Sequence, residues 1–165
     1  MKAVANSSVL IALSSIGQLS LLKRRFPGGV SIPEAVWREV VESGGGRPGA
    51  KEVGAADWLQ RCKVQDQDYV KLLCTELDIG EAEAIVLTRQ ERADVVLLDE
   101  KEARRVAHRL GMNVLGTVGL LIWARQQELI PSLRKQLKIL QDEGGFRLSQ
   151  ELCLVALRQV GEANH

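Results

Sequence analysis

The amino-acid sequence predicts a three-layer α/β/α fold, a parallel sheet of about five strands covered by helices on both faces, with extra helices at the C-terminal end. Three observations predict it. Short apolar runs alternate with longer stretches of helical period, which is the pattern of a sheet wrapped by helices. The clearest run, Val95-Val96-Leu97-Leu98, shows no alternation of apolar and polar residues and reads as a strand buried on both faces. The 165 residues are 45% hydrophobic and carry 22 Lys and Arg against 21 Asp and Glu, so the chain has the apolar content of one ordinary globular domain.

Taken in order, Ala3-Val4-Ala5 is the first strand, and Asn6-Ser7-Ser8 ends it with side chains suited to capping a helix that begins near Val9. An amphipathic stretch from Leu19 to Phe26 leads through Pro27-Gly28-Gly29 into a short strand at Val30-Ser31-Ile32. Pro33 suits the first turn of the next helix, whose apolar stripe is Val36, Trp37, Val40 and Val41. Gly44-Gly45-Gly46-Arg47-Pro48-Gly49 breaks the pattern and reads as a mobile loop; the Lys-Ser/Thr that would complete a phosphate-binding loop is absent. An extended piece follows around Cys62 to Val64, then helices from about Asp66 to Leu77 and from Gly80 to about Arg92. Asp99 ends the buried strand, a helix runs on to Leu110, and Gly111 is placed to close it. Asn113-Val114-Leu115 is the last strand, and Gly116-Thr117 turns into a helix from Val118 to Gln127. Pro131 opens another helix that stops at Gly144-Gly145, and Ser149 caps the final one. A single domain over residues 1–160 is expected, with 131–160 as a C-terminal helical extension and 161–165 as a frayed tail.

Composition excludes several classes. A formal net charge of +1 argues against coating nucleic acid or an anionic membrane through bulk electrostatics, though a locally basic groove remains compatible with it. Cys62, Cys74 and Cys153 are odd in number and widely spaced, which fits reduced thiols in a cytoplasmic protein rather than a zinc or disulfide framework. The apolar run Val9 to Leu13 is short for a signal peptide, and Val118 to Ala124 falls far below the roughly 20 residues of a membrane helix. No membrane partner is expected.

In an open α/β sheet, ligands bind beyond the carboxyl ends of the strands where the strand order reverses. A sheet ordered 3-2-1-4-5 makes the strands ending at Asn6 and Asp99 neighbours. Glu81 lies in the first turn of its helix on the side of Ala84, Ile85 and Thr88, hence on the inner stripe. Alone, it fits equally as a complement to the helix dipole. Glu39 flanks the stripe of Val36 and Val40, and alone reads as a solvated surface charge. Together, one amide and three carboxylates are an oxygen-only donor set, which suits Mg2+ or Mn2+ rather than zinc. Such ions activate water and stabilise a leaving oxygen in phosphodiester hydrolysis.

Five blocks carry a resemblance: Asn6-Ser7-Ser8-Val9-Leu10-Ile11-Ala12-Leu13; Ile32-Pro33-Glu34-Ala35-Val36-Trp37-Arg38-Glu39; Gly80-Glu81-Ala82-Glu83-Ala84-Ile85; Leu97-Leu98-Asp99-Glu100 with Ala103-Arg104-Arg105-Val106-Ala107; and Gly116-Thr117-Val118-Gly119-Leu120-Leu121. In order and spacing, over roughly residues 3–125, they resemble the PIN-domain superfamily, in the uncharacterised prokaryotic branch related to the ribonuclease toxins of toxin–antitoxin pairs. The resemblance implies a PIN-like, Rossmann-like fold and an acidic quartet that holds Mg2+ or Mn2+ and cuts RNA. Its four positions fall on Asn6, Glu39, Glu81 and Asp99, and the 18 residues from Glu81 to Asp99 match the family's spacing. Ser8 and Thr117 fall on accessory positions. It further implies RNA as substrate, an antitoxin protein as partner and a homodimer; Leu133, Leu137, Leu140, Leu152 and Val155 supply apolar faces that either pack on the core or form that dimer.

Asn6 departs from the family pattern, since an amide oxygen ligates a metal without contributing charge. Glu100 and Glu102 follow Asp99 closely enough to be considered as partial substitutes. For RNA contacts, Lys101, Arg104, Arg105 and His108 recur at i, i+3, i+4 and i+7, opposite Ala103, Val106, Ala107 and Leu110, either as a phosphate guide or as an ordinary solvated face. The function expected is therefore a metal-dependent endoribonuclease with a metal site weakened at Asn6, in the manner of a toxin. The alternative is a degenerate relative that binds RNA or a protein without cleavage. A receiver-like domain would want a lysine where this chain has Gly116-Thr117.

Overall fold

Residues 1–163 are described by a computed structural model. Five parallel strands, β1 (Ala3–Ala5), β2 (Val30–Pro33), β3 (Leu59–Cys62), β4 (Val95–Leu97) and β5 (Val114–Leu115), pair in the order β3-β2-β1-β4-β5. The α/β/α fold and strand order expected from the sequence are those observed. The central strands are unbroken apolar runs because both faces are covered. Ala3, Ala5, Val95 and Leu97 join one apolar cluster, while Val4, Val96 and Leu98 join the other. This is strand alternation read in a sheet that has no solvent side.

On the first face lie α1 (Ser7–Ser15), α2 (Leu21–Arg25), α4 (Ala50–Ala55), α8 (Thr117–Gln126), α9 (Leu133–Asp142) and α10 (Gln150–Gln159), with Leu10, Leu13, Leu22, Val53, Leu121, Leu137 and Leu157 in one cluster. The other face carries α5 (Gln67–Leu73), α6 (Ile79–Gln90) and α7 (Lys101–Arg109). From Gly80 to Thr88, every residue of α6 is buried. Helix α3 (Glu34–Trp37) leaves β2 directly and widens into a π-helical turn over Arg38–Glu42.

Several boundaries differ from expectation. The third strand is Leu59–Cys62 rather than 62–64: on the sheet edge its residues are only half-buried or exposed, so it gives no apolar run. Helix α4 follows the glycine-rich loop at once and was hidden behind it. Helix α5 ends at Leu73, short of Leu77. The C-terminal helices pack into the same core as α1 and β1, so 131–160 is built into the domain.

Within the segment expected to fray, Glu162 is instead anchored. Its carboxylate accepts hydrogen bonds from Leu133 N (2.7 Å), Arg134 N (3.1 Å), Ser132 Oγ (3.0 Å) and Arg125 Nε (3.0 Å). It thereby satisfies the orphan donors at the start of α9. Asn164 and His165, also in that segment, lie outside the described residues. Among the described residues no helix is long and apolar enough to cross a membrane.

Burial alone would raise the Glu162 carboxyl pKa, but the bonds from Leu133, Arg134, Ser132 and Arg125 outweigh it and hold the group below its ordinary value. Stability from this group is therefore present above the unfolded pKa of about 4.3 and lost as pH falls through the lower folded value. Glu162→Gln should cost about 1.5–3 kcal/mol near neutral pH, with the deficit closing in acid, in urea titrations run across that range.

Candidate active site

β1 has β2 on one side and β4 on the other, so the strand order reverses between the ends of β1 and β4. Asn6 leaves β1 there and its N–H bonds Leu97 O at 3.2 Å. Its side chain stands at the N-cap position of α1 but makes no capping bond, and among the described residues the amide has no hydrogen-bond partner, although Asn6 is only 4% exposed. The capping role expected for it is not observed. In front of it opens a cavity of about 510 Å3 lined by Asn6, Ser7, Ser8, Ile11, Glu39, Asp78, Glu81, Glu100, Lys101 and Glu102.

Glu39 enters this cavity from the π-helical turn, a widened geometry often found at functional sites. Ser7 Oγ donates to Glu39 Oε2 at 2.8 Å. Ser8, the hydroxyl expected to serve the site, lines the cavity but its buried Oγ has no partner. At the start of α6, Asp78 and Glu81 form a reciprocal capping box: Glu81 N donates to Asp78 Oδ1 (2.7 Å) and Asp78 N to Glu81 Oε1 (3.1 Å). Burial pushes the Glu81 carboxyl up; the bond from Asp78 N–H pulls it partly back, and the negative charges of Asp78 and Glu100 push it up further.

Asp99 is held elsewhere. Its Oδ1 accepts from Thr117 N (2.8 Å) and its Oδ2 from Thr117 Oγ1 (2.6 Å), so it caps the first turn of α8 from outside. A β-carbon at Gly116 would lie 2.9 Å from Asp99 Oδ1 and 2.6 Å from the Arg104 guanidinium, which explains glycine at this point. Asp99 lines a second cavity of about 840 Å3 that shares Glu100 with the first and continues past Arg104, Phe146 and Leu152. Asn6, Glu39 and Glu81 therefore share one cavity, and Asp99 faces the adjoining one. Among the described residues, no three Asp, Glu, His or Cys side chains converge closely enough to hold an ion as they stand.

The basic face of α7 divides three ways. Lys101 lines the acidic cavity. Arg104 turns inward to donate to Leu98 O at 3.0 Å. Arg105 is paired with Glu102 (2.7 Å) and reaches toward Glu76 (3.9 Å), which also binds Arg109. The continuous guide expected from helical period is interrupted, because period gives direction and says nothing of partners in the turn after α5, on α7 itself or at the strand ends. Three residues were missed: Ser7, Asp78, and Glu83, whose Oε1 accepts Ala35 N–H at 2.9 Å while only 3% exposed. The signal for the last two was present, since Asp78 and Glu81 have capping-box spacing and Glu83 follows in a helix with no polar face.

A family model described as PIN domain (DUF3368) matches residues 2–162. The match takes in α9 and α10, beyond the blocks that carry the resemblance. No curated protein matches the chain.

The buried Glu83 bond should show itself in stability. Glu83→Ala leaves Ala35 N–H unsatisfied and should cost about 2–3 kcal/mol, whereas Glu83→Gln keeps an acceptor and should cost less than about 1 kcal/mol, both by urea unfolding. For Glu81, whose folded pKa is raised, the associated stability is present below the unfolded pKa and lost as pH rises through the folded one. Glu81→Gln, which preserves the capping box, should be more stable than the native protein near neutral pH, with the difference vanishing in acid in thermal unfolding.

Proposed function

The chain belongs to the PIN-domain family, and we propose that it is a divalent-metal-dependent endoribonuclease working at the acidic cavity between the ends of β1 and β4. One observation carries this reading: a buried amide without a partner, Asn6, stands in a cavity otherwise rich in carboxylates. The donor set is all oxygen, which fits Mg2+ or Mn2+ and not a softer metal. Glu39 and Asn6 would hold the ion, with Glu81 and Asp99 beside them. When bound, the ion supplies Lewis acidity that activates water and stabilises charge on the leaving oxygen.

The chain's own residues prepare this. Ser7 Oγ fixes Glu39 through Oε2, and both carboxylate oxygens keep lone pairs for an ion. Thr117 holds Asp99 by both oxygens, so its remaining lone pairs have a fixed direction. Lys101, among the described residues the one cation on the cavity wall, attracts a phosphodiester to it. RNA is the substrate under this proposal, with an antitoxin protein and a second copy of the chain as partners. Exposed Leu152, Leu154 and Val155 on α10 support the last. A second reading, binding without cleavage, is favoured by the missing charge at Asn6.

Purified protein with Mn2+ should cleave single-stranded RNA. Glu39→Gln and Asp99→Asn should each slow cleavage about a hundredfold or more, the scale of losing several kcal/mol of charge stabilisation. If neither the native protein nor Asn6→Asp cleaves, the enzyme reading fails and the binding reading stands.

A further inference from the structure

Resting on the metal-dependent reading above, we propose that Asp78 is a metal ligand of this site and supplies the negative charge that Asn6 lacks. The observation is a convergence at Gly80. A β-carbon placed there would lie 3.3 Å from Glu39 Oε2, 3.4 Å from Asn6 Oδ1 and 3.5 Å from Asp78 Oδ1. Three oxygens from three separate elements, the π-helical turn, the end of β1 and the N-cap of α6, thus gather beside Gly80, and all three residues line the same cavity. Two are carboxylates and the third belongs to the unpartnered, 4% exposed amide of Asn6. Asp99, expected as the fourth acid of the metal set, is directed to Thr117 and the adjoining cavity.

The donor chemistry agrees with the count. Mg2+ and Mn2+ sites take one or two carboxylates and keep open positions for water and phosphate. Glu39 and Asp78 give two, and the amide a neutral third. Asp78 Oδ1 also accepts the Glu81 N–H, a bond that occupies one lone pair and fixes the carboxylate against the cavity. Capping alone explains an acceptor at position 78. It does not explain why that acceptor lines one cavity with Glu39 and the Asn6 amide, all three beside Gly80.

The test separates charge from capping. Asn is as good an N-cap as Asp, so Asp78→Asn keeps the helix start while removing the charge. Mn2+ binding is read by calorimetry without RNA, and thermal unfolding is followed without metal. Asp78→Asn should weaken Mn2+ binding about tenfold or more with unfolding little changed, and Asn6→Asp in the Asp78→Asn background should restore it. Asp78→Ser, a second capping residue, should behave as Asp78→Asn does and serves if that variant fails to fold. Mn2+ binding within about twofold of native in both single variants overturns the inference and leaves the nuclease reading intact. Absence of Mn2+ binding by the native protein overturns both.

Discussion

The arrangement of the cavity depends on one buried hydrogen bond, from Ala35 N–H to Glu83 Oε1. Ala35 belongs to the first turn of α3, where backbone donors have no partner within the helix. That helix has only four α-helical residues before it widens, too few to hold its position by its own bonds. Glu83 holds it from the middle of α6, a helix buried along nearly its whole length and therefore fixed to the sheet. Through that bond the π-helical turn carrying Glu39 and the helix start carrying Gly80 are set in one register. The cavity between them is a consequence of this tie more than of any contact within it.

Several carboxylates at the strand ends are stabilised because helix starts receive them. Asp78 and Glu81 satisfy donors at the N-terminus of α6, and Asp99 does the same for α8. The partial positive charge there favours anions by about 0.3–1 kcal/mol each. The site is thereby stable as an acidic cluster, yet only part of each carboxylate is committed. Basic residues are handled differently. Arg105 and Arg109 are neutralised on the surface by Glu76 and Glu102, and exposed pairs of this kind add little stability. The net charge of +1 is thus the sum of a segregated pattern, an acidic cavity and a set of paired surface cations.

Much of the fold was legible because its central strands are short apolar runs between helical periods, and because Asn6 and Asp99 punctuate two of those runs. Edge strand β3 was displaced in the reading because Leu59-Gln60-Arg61-Cys62 carries an edge's mixed polarity. Helix α4 was invisible behind six breaker residues. In the site, placement at strand ends was readable, but side-chain commitment was not. Nothing in the order of residues says that Asp99 turns to Thr117, that Ser7 rather than Ser8 meets Glu39, or that Arg104 folds inward. Asp78 was passed over for a physical reason. A capping residue looks fully explained by the helix it starts, and the second role proposed for it rests on Glu39 and Asn6 beside it.

Asn6 is the residue that the fold alone does not explain. Were it a cap, its amide would bond the first turn of α1; it bonds nothing among the described residues and stays buried. An aspartate here would set another carboxylate against Glu39 and Asp78, a like-charge repulsion in a cavity whose wall carries Lys101. An amide keeps the ligating oxygen and removes that repulsion, so the resting protein gains stability where an ion would lose attraction. Natural sites often strike this balance between stability and activity. Under the proposal for Asp78, the charge missing from the buried end of β1 stands instead at the exposed start of α6, where water solvates it in the resting protein.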